Sequence, residues 1–126
     1  MMTMVCFQSA GAAYWLPVEA TRAVRTSSGI RSLPGTGPDI VGILPGQPPL
    51  TVISVLGGGG THVLVVEAGG AAFGLLVDAV TGLRRIAVAD IRPAPTGRGR
   101  SFISGTIDSD GELMLVADPD ALAARL

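Results

Sequence analysis

Residues 61–80 read Thr61-His62-Val63-Leu64-Val65-Val66-Glu67-Ala68-Gly69-Gly70-Ala71-Ala72-Phe73-Gly74-Leu75-Leu76-Val77-Asp78-Ala79-Val80. Two apolar pieces flank Ala68-Gly69-Gly70, which predicts two strands joined by a tight turn. Side chains alternate faces along a strand, so Leu76 and Val77 point opposite ways. Burying both requires a strand covered on two sides. We expect Leu16, Val65, Leu76, Val77 and Leu115 in the core.

Outward from this stretch the chain is cut into similar short pieces by 18 glycines and nine prolines. Met4 to Gln8 and Tyr14 to Val18 flank Ser9-Ala10-Gly11-Ala12, a hairpin signal. Adjacent Tyr14 and Trp15 would point to opposite faces, one into the core and the other outward as an exposed contact. Glu19 to Arg25 reads as one or two helical turns. Leu33 to Pro38 holds too many breakers for anything but a loop. Leu50 to Val55 is a strand, which Gly57-Gly58-Gly59-Gly60 turns into the next, and Gly82 to Val88 is another. Ser101 to Ile107 pairs with Glu112 to Ala117 across Asp108-Ser109-Asp110-Gly111, where Asp-Gly marks a hairpin. At the end, Asp118 caps a helix whose first position is Pro119, with Leu122 and Leu126 on one face. Roughly nine short strands predict closed or double barrels, or a sandwich. Closure would protect the edges of a chain with few charges.

The 126 residues suit a single domain spanning 1–126, and a 48% apolar fraction supplies a core. Nine arginines, no lysine and ten acidic residues give a net charge of −1, without the basic field of a nucleic-acid binder. One cysteine, Cys6, excludes an internal disulfide and a cysteine-rich zinc site, and we expect it buried as a small apolar residue. One histidine, His62, excludes a paired-histidine metal site. We therefore expect no metal, no cofactor and no catalysis.

No basic residue precedes Arg22, and Met4 to Phe7 is too short for a signal-peptide core. Ile40 to Val66 lacks Asp, Glu and Arg, but Pro45, Pro48, Pro49 and six glycines would break a spanning helix. A soluble cytoplasmic protein without membrane insertion is expected.

The remaining chemistry is sparse. The four glycines lack the lysine and following helix of a phosphate loop, so they read as a flexible turn. Asp108, Asp110 and Glu112 cluster at a turn, where carboxylates bond their own backbone. Asp78 is the carboxylate with a fixed role, capping a tight turn. Arg92, Arg98 and Arg100 form a local basic cluster with Phe102 as its one aromatic neighbour, which reads as a solvated loop. His62 has no nucleophile or carboxylate at a motif spacing.

The order of the pieces resembles the CheW family, the chemotaxis coupling proteins that link receptors to a histidine kinase. Val5-Cys6-Phe7 with Tyr14-Trp15-Leu16-Pro17-Val18 is similar to the family's opening hairpin. Leu33-Pro34-Gly35 and Ile40-Val41-Gly42-Ile43 resemble its next segment. Gly74-Leu75-Leu76-Val77-Asp78-Ala79-Val80, Ile91-Arg92-Pro93-Ala94-Pro95, Phe102-Ile103-Ser104-Gly105 and Leu113 to Asp118 complete it. The resemblance implies a mainly β fold of two interlocked, SH3-like barrels sharing an apolar seam, with a short C-terminal helix. It implies a non-catalytic adaptor at chemosensory arrays. Its partners would be the cytoplasmic tip of a methyl-accepting chemoreceptor and the regulatory domain of a CheA-type histidine kinase, or another CheW-like protein. Carried over by position, receptor contacts would fall near Thr21, Gly42, His62 and Leu83, for which ordinary barrel surface is the competing expectation.

Two departures stand out. The arginine that the family carries after the Gly42 position is absent, with Thr51 and Ser54 at its usual proline and aspartate. The acidic residue that commonly partners it falls near Ala23. Losing both ends of a charge pair avoids stranding one of them. The connection after Leu56 is also short. We therefore expect a divergent coupling protein or an accessory, FrzB-like member, with receptor binding retained and kinase or ring contacts altered. Competing expectations are a complete adaptor bridging receptor and kinase, a small β-barrel ligand binder or enzyme, and a nucleic-acid-binding barrel.

Overall fold

The computed structural model describes residues 1–35, 37–57, 60–94 and 102–126. The opening hairpin joins β1 (Met2–Ser9) to β2 (Ala12–Pro17) through Ala10 and Gly11 at φ 51° and 80°. The middle hairpin joins β6 (His62–Ala68) to β7 (Ala71–Val77), and Asp110-Gly111 joins β10 (Ile103–Ser109) to β11 (Glu112–Ala117). Left-handed pairs in such turns match the twist of the strands they connect. The other strands are β3 (Thr21–Thr26), β4 (Ile40–Leu44), β5 (Leu50–Ile53), β8 (Ala79–Ile86) and the two-residue β9 (Arg92–Pro93). Asp118 Oδ1 accepts from the Asp120 amide and starts α1 (Pro119–Ala123). The helix stops before Leu126, which is left exposed, whereas Leu122 is fully buried.

Two sheets form, in the orders β8-β1-β2-β11-β10-β9 and β3-β6-β7-β5-β4. The opening and middle hairpins each send their next strand to the other sheet. The chain leaving β2 becomes β3 and pairs with β6, whereas the chain leaving β7 becomes β8 and pairs with β1. The two sheets are therefore interlocked, as expected.

Alternation along the central strands feeds three apolar clusters. Val5, Phe7, Tyr14 and Leu16 join Leu64, Val66, Leu75, Val77 and Leu122 in a seam between the sheets. Met4, Cys6, Trp15 and Val116 fill the hollow of the six-stranded sheet. Val52, Val63, Val65 and Leu76 fill that of the five-stranded sheet. Leu76 and Val77 are thus both buried, on opposite faces of one strand. Leu16 and Val65 are buried as expected, and Leu115 is half-buried against the seam.

Three expectations need correction. Glu19 to Arg25 is not helical beyond a 3-10 turn at Val18–Ala20, because β3 pairs with β6 from Thr21 onward. Tyr14 and Trp15 are both buried, at 8% and 4% exposure, since β2 carries a core on each face. The sheets do not close into barrels by continuous ladders. In the five-stranded sheet a single bridge spans the remaining gap: the Arg31 and Ile43 amides each donate to the other's carbonyl at 2.8 Å. Gly42 permits it, because a Cβ there would lie 2.1 Å from the Arg31 carbonyl oxygen.

Candidate functional site

The strand exchange creates the site. β3 and β8 each lie at a sheet edge and leave the two hairpins side by side, so a furrow opens between them. Its volume is about 250 Å³. Val5 and Leu64 make the floor, Val18, Thr21 and Val80 line it, and Val24 and Leu83 stand on its walls. Val24 is 47% exposed and Leu83 64%, although both lie in strands. Large apolar side chains held open on rigid strands are features of a docking surface.

Arg22 sits at the rim. Its Nε donates to Glu67 Oε2 at 3.1 Å and its Nη1 donates to the Glu19 carbonyl at 3.1 Å. That hydrogen bond, reinforced by the charge of Arg22, holds the Glu67 carboxyl below the usual range. The same contacts push the Arg22 guanidinium up. Arg84 and Arg85, on β8 beside Leu83, make no ion pair among the described residues. No carboxylate lines the furrow.

Asp78 ties the chain down where it crosses from one sheet to the other, between β7 and β8. Its Oδ2 accepts from the Ala10 amide at 2.9 Å and its Oδ1 from the Gly60 amide at 3.2 Å. Its own amide donates to the Gln8 carbonyl, and its carbonyl accepts from Thr61 Oγ1 at 3.0 Å. The carboxylate expected to cap a tight turn thus ties two turns and both sheets.

Of the four expected receptor contacts, the structure brings Thr21 and Leu83 into one furrow. Thr21 also donates its hydroxyl to the Val18 carbonyl at 2.9 Å. His62 pairs with Thr26 at the other end of the β3–β6 ladder, its Nδ1 2.8 Å from Thr61 Oγ1. Gly42 is buried on β4, at the far edge of the same sheet. Sequence reasoning missed Val5, Val18, Val24, Leu64 and Val80. The available signal was Val24 and Leu83, apolar residues among the arginines and threonines of β3 and β8.

Other features carry less. A depression of about 260 Å³ lies over Cys6, Trp15, Arg84, Glu112 and Met114. Burial pushes the Cys6 thiol up and nearby Arg84 draws it partly down, so it stays protonated and weakly nucleophilic. Among the described residues, no three or more His, Cys, Asp or Glu side chains are grouped to hold a metal. No helix among them is long and apolar enough to cross a membrane. Asp108, Asp110 and Glu112 are exposed around the β10–β11 turn. Arg92 is exposed, whereas Gly58, Gly59, Arg98 and Arg100 lie outside the described residues.

Comparison with known proteins agrees with this architecture. The CheW-like domain family matches residues 3–126. Among solved structures, the crystal structure of scaffolding protein TtCheW from Thermoanaerobacter tengcongensis is similar, with a TM-score of 0.84 and 25% sequence identity. That match covers 93% of this chain and 88% of the other. No curated protein matches the chain.

Proposed function

Since the chain belongs to the CheW-like domain family, we propose that it is a non-catalytic chemosensory adaptor. It binds the cytoplasmic tip of a chemoreceptor and couples it to, or modulates, a CheA-type histidine kinase, working in the cytoplasm at chemosensory arrays. The similarity to a scaffolding protein supports this reading. The observation that carries it is the apolar furrow, with Val24 and Leu83 held open on two edge strands. An adaptor needs such a surface, and a helical tip offers the apolar ridge to fill it.

The kinase-facing side is the altered one. Ala23 stands where the family's acidic residue is expected, and no arginine follows Gly42 before Leu56. Interface energy concentrates in a few well-packed residues, so losing one patch removes much of the affinity. Receptor binding draws instead on Thr21 and Leu83.

The test is to titrate the receptor tip and the kinase regulatory domain separately against the purified chain. Receptor binding with weak or absent kinase binding is expected. Kinase-domain affinity equal to that of a standard coupling protein in the same assay would establish the complete adaptor instead. Binding to neither partner would refute the adaptor reading.

A further inference from the structure

The hollow of the six-stranded sheet is not filled to its mouth. Gly82, Cys6, Trp15 and Val116 stand in one row across β8, β1, β2 and β11. Gly82 brings no side chain to that row, and a Cβ there would meet nothing within 4 Å. In the next row on the same face Gln8 is opposite Ala13, which adds only a methyl group. A depression of about 260 Å³ is therefore left over Cys6 and Trp15, with Met114 beside them. Thr81 donates its hydroxyl to the Cys6 carbonyl at 3.2 Å and holds β8 against β1 at the place where their register slips.

Two charged side chains border this depression, and both are unpaired. Arg84 lies two residues to one side of the row, opposite Met4. Glu112 lies four residues to the other side, beyond Met114 on β11. Neither makes an ion pair or a side-chain hydrogen bond among the described residues. The rest of the lining is uncharged. The depression thus has a cationic end, an apolar floor and an anionic end. At ~3.3 Å per strand residue the two backbone positions stand about 20 Å apart along the strands. Long side chains leaning in from both ends shorten that gap to a few residues of extended chain. A single amino acid holds both of its charges on one carbon and cannot meet both ends. The volume is also below the ~300–1,000 Å³ of sites that take larger ligands.

We propose that the depression binds a short peptide of two or three apolar residues with both termini free, its carboxylate on Arg84, its ammonium at Glu112 and its side chains over Cys6 and Trp15. The guanidinium suits a terminal carboxylate because its fork donates two parallel hydrogen bonds. Both charged ends are exposed, so each ion pair adds modestly and the affinity is weak. The site does not depend on the adaptor reading.

The full chain carries one tryptophan and one cysteine, and both lie in the floor, so two signals report this site. The probe is the tripeptide alanyl-leucyl-alanine. It is titrated while Trp15 emission is recorded and, in parallel, while Cys6 is alkylated with iodoacetamide. A saturable change in emission and slower alkylation are expected, with one midpoint. The N-acetylated tripeptide, its C-terminal amide and free leucine should each bind about fivefold more weakly, the size of one well-placed exposed ion pair. Arg84→Gln should weaken the free tripeptide about fivefold and leave the amide unchanged, and Glu112→Gln should do the same with the acetylated form. Arg92→Gln removes an exposed charge outside the depression and should bind like wild type. Circular dichroism confirms that each variant folds, and the blocked peptides test the two ends on wild type alone. Four results would each overturn the proposal: no saturable change with the free tripeptide, a change in emission without protection of Cys6, blocked peptides binding as tightly as the free one, or Arg84→Gln weakening the free and amidated forms alike.

Discussion

The Asp78 carboxylate accepts a hydrogen bond from the Ala10 amide at 2.9 Å, across 68 residues of chain. Ala10 holds φ 51°, a conformation that is strained for an alanine, so its amide points to this acceptor at a conformational cost. The same carboxylate bonds Gly60 at 3.2 Å. It therefore links turns that lie far apart in sequence at the place where the chain changes sheets.

Replacing Asp78 with alanine should remove both bonds. Charge-assisted hydrogen bonds contribute about 1.5–3 kcal/mol net, and partial exposure puts this site at about 1–2 kcal/mol. Asp78→Asn keeps one acceptor and should lose less. The denaturant midpoint should fall with an unchanged slope. An unaltered midpoint for Asp78→Ala would show that water replaces the carboxylate without loss.

Asp78 was legible as a fixed carboxylate because it follows a long apolar strand. Its partners were not, because no local pattern reports a contact with Ala10. The same contrast runs through the fold. Strands buried on both faces announced themselves as continuous apolar runs. β3 did not, because Thr21-Arg22-Ala23-Val24-Arg25-Thr26 is an exposed edge strand whose pairing with β6 is set by tertiary structure. Tyr14 and Trp15 were read with one residue outward because a single alternating pair does not show that both faces have a core. That β1–β2 and β6–β7 are equivalent hairpins, each followed by a strand given to the other sheet, escaped notice because equivalent positions have unlike residues. Trp15 fills one hollow where Gly74 lets Val52 and Val63 close the other. Of the site, Thr21 and Leu83 came through the family pattern, and the floor did not.

Gly42→Ala should be poorly tolerated. Its Cβ would meet the Arg31 carbonyl and force apart the bridge that spans the open side of the five-stranded sheet. Overpacking of this kind costs about 1–3 kcal/mol. Gly37→Ala, with nothing within 4 Å of the new Cβ, should be neutral or slightly stabilising. Equal melting temperatures for the two variants would exclude this role for Gly42.

Leu122 is fully buried in the seam although α1 is only five residues long. Leu122→Ala should cost about 2–5 kcal/mol, because the surrounding strands cannot collapse onto the vacated space. A loss confined to about 0.5 kcal/mol would mean that the helix is dispensable to the seam. Chemical denaturation separates the two.

Burial raises the Cys6 pKa in the folded chain, so folding favours the neutral thiol. The contribution is fully present below the unfolded-state pKa and is lost as pH rises through the higher folded-state value. Alkaline titration should therefore destabilise wild type more steeply than Cys6→Ala, after allowance for the variant's lower baseline. Arg84→Gln removes the charge that opposes the shift, so thiol alkylation at a fixed alkaline pH should slow further. Faster alkylation in Arg84→Gln, with the fold intact, would contradict this.

The exchange of third strands also sets a schedule for synthesis. β1 is synthesised before the strand that covers its edge, β8, whose first residue Ala79 lies about 70 residues beyond Ser9. At about 5–20 residues per second, that edge stays open for several seconds or longer. The first hairpin therefore waits, with the apolar faces of Val5 and Phe7 uncovered, for a partner not yet translated. Stalling or truncation before Ala79 would leave a sticky, unfinished edge rather than a folded half. A nascent chain of this kind calls for a holding chaperone until residue 86 is clear of the exit tunnel.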